Sequence, residues 1–248
     1  MNILTDPLAH PVIGHRGMAA FVPENTLEGM QRAFSHGADA VEFDLRLSAD
    51  GEVVVFHDST VERTTEGFGA VATKTAAELR ELNAGARFDP ERSYRIPLFR
   101  EVMESFPDKH LLIEIKDPAA AAPARKLMEQ HGAGSRCMVD SYHDRALRAF
   151  DGSGIPVGAG RDGTAEILKS FFLMRQANVE YQGMCVPPRY GRFPLPVRIL
   201  SRIARNGGKT IHIWTVNSAS EARALWKAGV NGIISDDVRP ILAERERR

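Results

Sequence analysis

The amino-acid sequence predicts an α/β fold, a single (β/α)8 barrel of parallel strands. Eight short apolar runs alternate with segments of helical periodicity along the 248 residues. Such alternation favours a parallel sheet, and eight repeats are enough to close it. Polar, titratable residues end several of the runs, as expected where a barrel places its active site at the carboxyl ends of the strands. The length suits one barrel, so we expect one domain over residues 1–248.

The strands and helices follow one another in a regular order. The predicted barrel strands are Val12–His15, Ala40–Leu45, Leu111–Ile115, Cys137–Ser141, Ile155–Ala159, Gly183–Val186, Thr210–Thr215 and Gly232–Ser235. Apolar residues at helical spacing predict helices at 25–36, 120–131, 143–150, 164–178, 196–206, 219–228 and 239–245.

A ninth apolar run, Val53–His57, is predicted to form a β-hairpin with the second barrel strand. Only Ser48–Glu52 join the two, which is too short for a parallel crossover. Asp50-Gly51 favours a two-residue turn. That turn sets Asp44 opposite His57, so the hairpin returns a histidine to the barrel mouth.

Residues 58–109 form an insertion between the hairpin and the third barrel strand. Helical patterns occur at 75–83 and 98–106, with loops rich in Gly, Arg and Pro between them. Connections of this length in a compact domain are usually functional. We expect the insertion to lie over the carboxyl face of the barrel.

Composition excludes several function classes. The formal net charge is zero, so no global field favours nucleic acid or an anionic membrane. The two cysteines, Cys137 and Cys185, lie far apart in apolar stretches and are expected to be buried reduced thiols. No apolar run reaches transmembrane length, and the first eleven residues lack the apolar core of a secretory signal. These features predict a cytoplasmic protein, for which transient contact with lipid stays open.

Three acidic residues at strand ends predict a divalent cation. Glu42 and Asp44 are two apart on one strand and therefore share a face. Glu114 and Lys116 repeat this spacing on the next barrel strand, where a structural ion pair is the alternative interpretation. Three carboxylates suit one Mg²⁺ or Ca²⁺, with Mn²⁺ as a further candidate, whereas the absence of a Cys- or His-rich set disfavours Zn²⁺.

Two histidines and two cations complete the predicted site. A lone histidine at a strand end is usually structural, but His15 and His57 flank the predicted cation and are candidates for proton transfer. Arg16 and Lys116 are candidates for binding a phosphate. Together they favour metal-assisted phosphodiester hydrolysis. The other histidines lack acidic partners at strand ends and are assigned to structural or surface positions.

Three further residues have two interpretations each. Asn25 or Thr26 could cap the first helix, with Glu24 favourably placed near its positive end, or Glu24 and Asn25 could hold Arg16 in position. Trp214 ends a barrel strand and either packs in the core or forms a wall of the site that contacts the substrate.

Motifs across almost the whole chain resemble the glycerophosphodiester phosphodiesterases, which belong to the PLC-like phosphodiesterases built on TIM barrels. The motifs, in family order, are His15-Arg16-Gly17, Pro23-Glu24-Asn25-Thr26, Gly37-Ala38-Asp39 with Glu42 and Asp44, Asp50-Gly51, Val54–Asp58, Arg63-Thr64-Thr65, Gly67, Gly69, Ile96-Pro97, Glu114-Ile115-Lys116, Trp214-Thr215-Val216-Asn217 and Gly232–Asp236. The resemblance implies hydrolysis of glycerophosphodiesters, which are small-molecule phosphodiesters, to glycerol 3-phosphate and an alcohol, by attack of water or of the glycerol 2-hydroxyl. It implies that the metal ligands are Glu42, Asp44 and Glu114. It implies that His15 and His57 are the acid–base pair and that Arg16 and Lys116 contact the phosphate.

The resemblance weakens between residues 158 and 206. There Phe171–Met174 is apolar, and the loop at 186–194 is apolar and basic. The first stretch is either helix core or part of the site mouth. If it lines the mouth, the alternative function is that of a lysophospholipase D or a phospholipase-type phosphodiesterase acting on lipids. A catalytically silent phosphate-binding module is the rival from a different class.

Overall fold

The computed structural model describes residues 2–175 and 177–247. Met1, Gln176 and Arg248 lie outside the described residues, so part of the predicted helix 164–178 and both ends of the predicted domain are not assessed. The β-strands are β1 (Val12–Gly14), β2 (Ala40–Leu47), β3 (Val53–Val55), β4 (His110–Ile115), β5 (Cys137–Asp140), β6 (Gly183–Val186), β7 (Arg189–Tyr190), β8 (Phe193–Pro194), β9 (Thr210–Ile213) and β10 (Gly232–Ser235). The α-helices are α1 (Leu27–Ser35), α2 (Ala76–Glu81), α3 (Phe99–Ser105), α4 (Ala121–Gln130), α5 (Asp144–Arg148), α6 (Gly160–Phe172), α7 (Val197–Asn206), α8 (Ala219–Lys227) and α9 (Val238–Glu246).

The predicted (β/α)8 barrel is confirmed. The parallel strands lie in the order β5-β4-β2-β1-β10-β9-β6. The predicted strand Ile155–Ala159 fills the remaining position through two parallel bridges, Val157 to Val139 of β5 and Gly158 to Gly183 of β6. It is short because only these two residues form bridges to their neighbours.

The hairpin is also present, but the predicted register is wrong by one residue. Leu45 pairs with Val55, and the Phe56 amide donates to the Asp44 carbonyl, so Phe56 rather than His57 lies opposite Asp44. The reason is the turn: Ser48 pairs with Glu52 through its amide, which leaves three residues in the loop instead of two. Gly51 has a φ of 84°, as expected at the last position of a three-residue hairpin loop.

The insertion packs on this hairpin. Its helices α2 and α3 match the predicted segments 75–83 and 98–106. Thr75 caps α2 with a reciprocal capping box to Glu78. A separate apolar cluster joins the insertion to Val54, whereas Val53 and Val55 belong to the main core. Alternation along β3 therefore ties the insertion to the barrel, beside His57.

Helix α6 differs from the prediction. It begins at Gly160 and ends at Phe172, so it starts and ends earlier than the segment 164–178. The stretch Phe171–Met174 is exposed, with Met174 at 96%, so the helix-core interpretation is wrong for it. Residues from the first part of α6, between Gly160 and Leu168, line a cavity of the barrel, and Phe171–Met174 are not part of that lining.

Candidate active site

A cavity of about 70 Å³ opens at the carboxyl ends of the barrel strands. The structure brings most of the predicted site residues to this cavity because parallel strands all end at the same rim. Those that line it are His15, Arg16, Glu42, His57, Glu114, Lys116 and Trp214.

The three acids converge as the strand register requires. Asp44 lies beside Glu114 across the β2–β4 ladder, and Glu42 precedes Asp44 by two residues on the same face. One oxygen from each carboxylate lies within 4.8 Å of the others. Glu42 and Asp44 are 5% and 1% exposed, and burial together with the charge of Asp44 raises the pKa of Glu42 to about 8. An oxygen-rich cluster in which a buried carboxyl, Glu42, resists ionisation fits a hard divalent cation.

Lys116 and Arg16 supply part of the compensating charge. The Lys116 ammonium lies 2.6 Å from Glu114 Oε1 and 3.3 Å from Asp44 Oδ1, and Arg16 Nε lies 3.4 Å from Asp44 Oδ2. Burial would raise the pKa of Asp44, but these two cations outweigh it and lower that pKa. The Glu114–Lys116 ion pair, the alternative interpretation, is therefore present alongside the acidic cluster. Within the described residues, Glu42 forms no ion pair with Lys or Arg.

The backbone between β1 and α1 holds Arg16 in a left-handed conformation. Arg16 has a φ of 50°, and its amide donates to Glu42 Oε2 at 3.0 Å. The next residue, Gly17, has a φ of 93° and leaves no room for a side chain, since a Cβ would lie 2.6 Å from the Gly29 carbonyl carbon. A left-handed residue other than glycine is uncommon and concentrates at functional sites.

The segment Glu24–Thr26 serves both predicted purposes. Thr26 is the N-cap of α1 and accepts from the Gly29 amide. Glu24 accepts from Arg16 Nη1 at 2.8 Å. Asn25 donates its amide to the Arg16 carbonyl, and its side chain exchanges two hydrogen bonds with Asp44, at 2.9 and 3.1 Å. These contacts fix Arg16 and Asp44 relative to each other.

His15 is held by Asp236, an acid to which the sequence patterns gave no role. Its Nδ1 lies 2.6 Å from Asp236 Oδ1, and Asn217 donates to the other oxygen of Asp236 at 2.7 Å. A carboxylate only accepts, so His15 Nδ1 carries the proton and Nε2 points to the cavity, 4.0 Å from Glu42 Oε2. Burial would lower the pKa of His15, but the bond to Asp236 and the charge of Glu42 raise it.

His57 has the same arrangement on the other side of the acids. Its Nδ1 lies 2.6 Å from Asp58 Oδ1. Asp58 accepts from Arg63 of the insertion, which also donates two hydrogen bonds of 2.7 Å to Glu24. Burial lowers the pKa of His57 despite the charge of Asp44. A chain of ion pairs thus connects His57 through Arg63 and Glu24 to Arg16.

Asp140 is a further acid of this cavity that the sequence patterns did not predict. It ends β5 directly beside Glu114, and burial and the charge of Glu114 raise its pKa to about 7. Its Oδ1 has no hydrogen-bond partner within the described residues. The signal was available, because an acid at the carboxyl end of a predicted barrel strand is the pattern that identified Glu42 and Asp44. Asp236 directly follows the last residue of β10.

The two cysteines are free, as expected, and Trp214 is 37% exposed. Trp214 therefore forms a wall of the cavity instead of packing in the core. Cys137 is buried, whereas Cys185 is intermediate in exposure and lines the cavity. Over the described ranges 2–175 and 177–247, no helix has both the length and the apolar character needed to cross a bilayer.

Two solved structures share this fold over nearly the whole chain. A phosphodiesterase of Oleispira antarctica, determined in complex with the product sn-glycerol-3-phosphate, has a TM-score of 0.80 at 25% identity and covers 98% of this chain and 99% of its own. The glycerophosphodiester phosphodiesterase of Thermotoga maritima has a TM-score of 0.74 at 27% identity, covering 94% and 97%.

Sequence relatives agree with the structural ones. A glycerophosphodiester phosphodiesterase of Caldanaerobacter subterraneus subsp. tengcongensis is 33% identical, covering 93% of this chain and 96% of the relative. One from Bacillus subtilis is 26% identical, covering 90% and 82%. Residues 15–239 match the glycerophosphoryl diester phosphodiesterase family. The resemblance predicted from the motifs is confirmed, and the chain belongs to the glycerophosphoryl diester phosphodiesterase family.

Proposed function

We propose that this protein hydrolyses glycerophosphodiesters to glycerol 3-phosphate and an alcohol, with one divalent cation and His15 and His57 as the acid–base pair. The observation that carries the proposal is the convergence of three carboxylates and two acid-partnered histidines on one cavity. The product complex of the Oleispira antarctica phosphodiesterase supports glycerol 3-phosphate as the product of a related barrel.

Glu42, Asp44 and Glu114 would hold the cation, since they offer oxygen ligands within 4.8 Å of one another. When bound, a divalent cation neutralises charge on phosphoryl oxygens and polarises the phosphorus centre. Arg16 and Lys116 line the same cavity and are placed to bind the remaining phosphoryl oxygens by charge-assisted hydrogen bonds.

Proton transfer falls to the Nε2 atoms of His15 and His57. Each imidazole has its Nδ1 bonded to a carboxylate at 2.6 Å, so in each the other nitrogen is available. One imidazole takes the proton from the attacking oxygen and the other gives a proton to the departing alkoxide. Steps of this kind contribute about 10²–10⁴-fold each.

The test is hydrolysis of glycerophosphocholine and glycerophosphoethanolamine, with and without EDTA and with Mg²⁺, Ca²⁺ and Mn²⁺ added separately. We expect EDTA to abolish turnover. His15→Ala and His57→Ala should each lower kcat at least about a hundredfold. His131→Ala, at an exposed histidine outside the cavity, is the matched control. Binding of glycerol 3-phosphate without turnover would instead favour the phosphate-binding module, and EDTA-insensitive turnover would refute the role of the cation.

A further inference from the structure

The basic residues of this chain are concentrated in one part of the sequence. The formal net charge is zero, but residues 160–209 contain nine lysines and arginines against three aspartates and glutamates. This segment therefore carries an excess of six positive charges, and the rest of the chain carries an equal excess of negative ones. A protein whose charges cancel overall can thus still present one positive side to an anionic partner.

Three of these cations form a stripe on α7. Arg198, Arg202 and Arg205 follow one another at spacings of four and three residues, so they lie along one face of the helix. All three are exposed, and none has a carboxylate partner among the ion pairs of the described residues. The opposite side of α7, with Leu200 and Ala204, is buried in the core. The stripe therefore faces away from the barrel.

Four consecutive large apolar residues are exposed where α6 ends. They are Phe171–Met174, of which Phe172, Leu173 and Met174 are more than half exposed. The rings of Phe171 and Phe172 pack edge to face with their centroids 5.6 Å apart. Single exposed apolar residues are common on protein surfaces, but a contiguous group of them indicates a site of interaction.

A groove of about 400 Å³ joins the apolar run to α7. Phe171 and Arg175 line one side of it, and Ile203 and Lys209 line the other. Arg175 is paired with Glu166 at 2.6 Å, so its charge is already compensated. The apolar run and the arginine stripe are therefore parts of one continuous surface. We call it the α6–α7 surface and define it by Phe171–Met174, Arg198, Arg202, Arg205 and Lys209.

The pairing of exposed arginines with exposed apolar residues discriminates among partners. A nucleic acid would attract the arginines, but its phosphate backbone offers Leu173 and Met174 no apolar surroundings. A second copy of this chain could cover the apolar run, but a two-fold interface would set like charges against each other. An anionic bilayer satisfies both features, because its headgroups attract arginine and its acyl boundary accepts apolar side chains.

We propose that the α6–α7 surface docks on an anionic phospholipid bilayer. Phe172, Leu173 and Met174 enter the boundary between headgroups and acyl chains, and the arginines of α7 lie among the anionic headgroups. No residue of this surface lines the catalytic cavity, so docking leaves that cavity free. The inference does not depend on the proposed function.

Co-sedimentation with unilamellar vesicles tests the docking. The chain is mixed with vesicles of phosphatidylglycerol and phosphatidylcholine in equal parts, or of phosphatidylcholine alone. EDTA is present so that no divalent cation bridges protein and lipid. We expect binding to the anionic vesicles and none to the neutral ones at about 0.05 M salt. Binding to the anionic vesicles should weaken at about 0.5 M salt, because salt screens the charges.

Charge reversal on α7 tests the location. A single cation near an anionic surface contributes about a fivefold factor to affinity, so Arg202→Glu, a change of two charges, should weaken vesicle binding about thirtyfold. Arg32→Glu is the matched control with the same change of charge. Arg32 is exposed on α1, which follows the first barrel strand and lies across the barrel from α6. This control should bind like the wild-type chain.

A second variant tests the apolar run. Replacing both Phe172 and Met174 by Ser removes exposed side chains without disturbing the core and should weaken vesicle binding at least about tenfold. Phe68→Ser, at an exposed phenylalanine of the insertion, is the matched control and should bind like the wild-type chain. All of these variants should keep the wild-type Tm and kcat, because none of the changed residues lines the catalytic cavity.

Four results would overturn the inference. One is no binding of the wild-type chain to anionic vesicles at low salt. Equal weakening by Arg32→Glu and Arg202→Glu would indicate a diffuse effect of charge. Self-association that the double Ser variant abolishes, without vesicle binding, would assign the surface to a second copy. Binding of single-stranded RNA that is tighter than binding of vesicles would assign it to nucleic acid. Failure of the proposed function is distinct, because it would appear as absent turnover of glycerophosphoethanolamine.

Discussion

Replacing Asp236 by Asn tests the role of the acid that holds His15. In the wild-type chain Asp236 accepts from both His15 Nδ1 and Asn217 Nδ2. In Asp236→Asn, the Asn217 amide still donates to an oxygen, so the new amide nitrogen faces His15 Nδ1. The amide nitrogen donates, so His15 Nδ1 must accept. The neutral imidazole then carries its proton on Nε2, the atom that faces the cavity.

The magnitude follows from the bond that is lost. A hydrogen bond to a charged partner contributes about 1.5–3 kcal/mol, and each 1.4 kcal/mol is a factor of ten. The productive tautomer of His15 should thus fall about ten- to hundredfold. Loss of the carboxylate also lowers the pKa of His15, since that carboxylate stabilises the imidazolium. We expect kcat to fall about a hundredfold.

The assay is kcat and kcat/KM for glycerophosphoethanolamine between about pH 5 and about pH 9. The limb of the profile that reports His15 should move to lower pH in Asp236→Asn. Calorimetric Mg²⁺ affinity should be unchanged, because Asp236 is not part of the acidic cluster. Asp237→Asn is the matched control, since Asp237 caps α9 and pairs with Arg239.

Two results would refute this reasoning. A wild-type kcat and pH profile in Asp236→Asn would show that the carboxylate does not orient His15. An equal loss in Asp237→Asn would attribute the effect to the β10–α9 turn as a whole.

Three other outcomes are expected. Mg²⁺ at a hundred times its Kd should stabilise the folded protein by about 2.7 kcal/mol in chemical unfolding, and Glu114→Gln should weaken the affinity for Mg²⁺. Equal stability in Mg²⁺ and in EDTA would contradict the cation site. Asp58→Asn should lower kcat about tenfold or more, because Asp58 orients His57; an unchanged rate would remove that role. Burial lowers the pKa of His212 from 6.5 to about 4, so as the pH falls the unfolded chain binds a proton before the folded chain does. The free energy of unfolding should therefore fall by up to about 1.4 kcal/mol per pH unit between about pH 6.5 and about pH 4. His212→Gln, which keeps a donor for the Leu4 carbonyl, should flatten that decline, and an identical slope in urea unfolding would refute it.

The hairpin shows how far local pattern reasoning reaches. A connection of a few residues excludes a parallel crossover, so the sequence was sufficient to predict an antiparallel pair after β2. The number of residues in the loop was not predictable from Asp50-Gly51 alone, because this pair suits both two- and three-residue loops. The register depended on Ser48 pairing with Glu52, which the structure shows. His57 lines the cavity all the same, since it lies beyond the end of β3.

The partners of the two histidines show where pattern reasoning ends. Asp58 is adjacent to His57, but Asp236 is separated from His15 by most of the chain. Their contact exists because β1 and β10 are neighbours in the closed barrel. Arg63 reaches Glu24 across 39 residues of sequence, where Val22 packs against the apolar cluster of the insertion.

By itself the sequence determined the kind of fold and the chemical character of the site. Strand–helix alternation and acids two residues apart are local periodicities, and each follows from backbone geometry within a single element. Closure of the barrel, the neighbours of each histidine and the groove between α6 and α7 were decided only in the tertiary structure. Those features depend on which distant strands pair and in what register, and that is fixed by packing of the whole core rather than by any one segment.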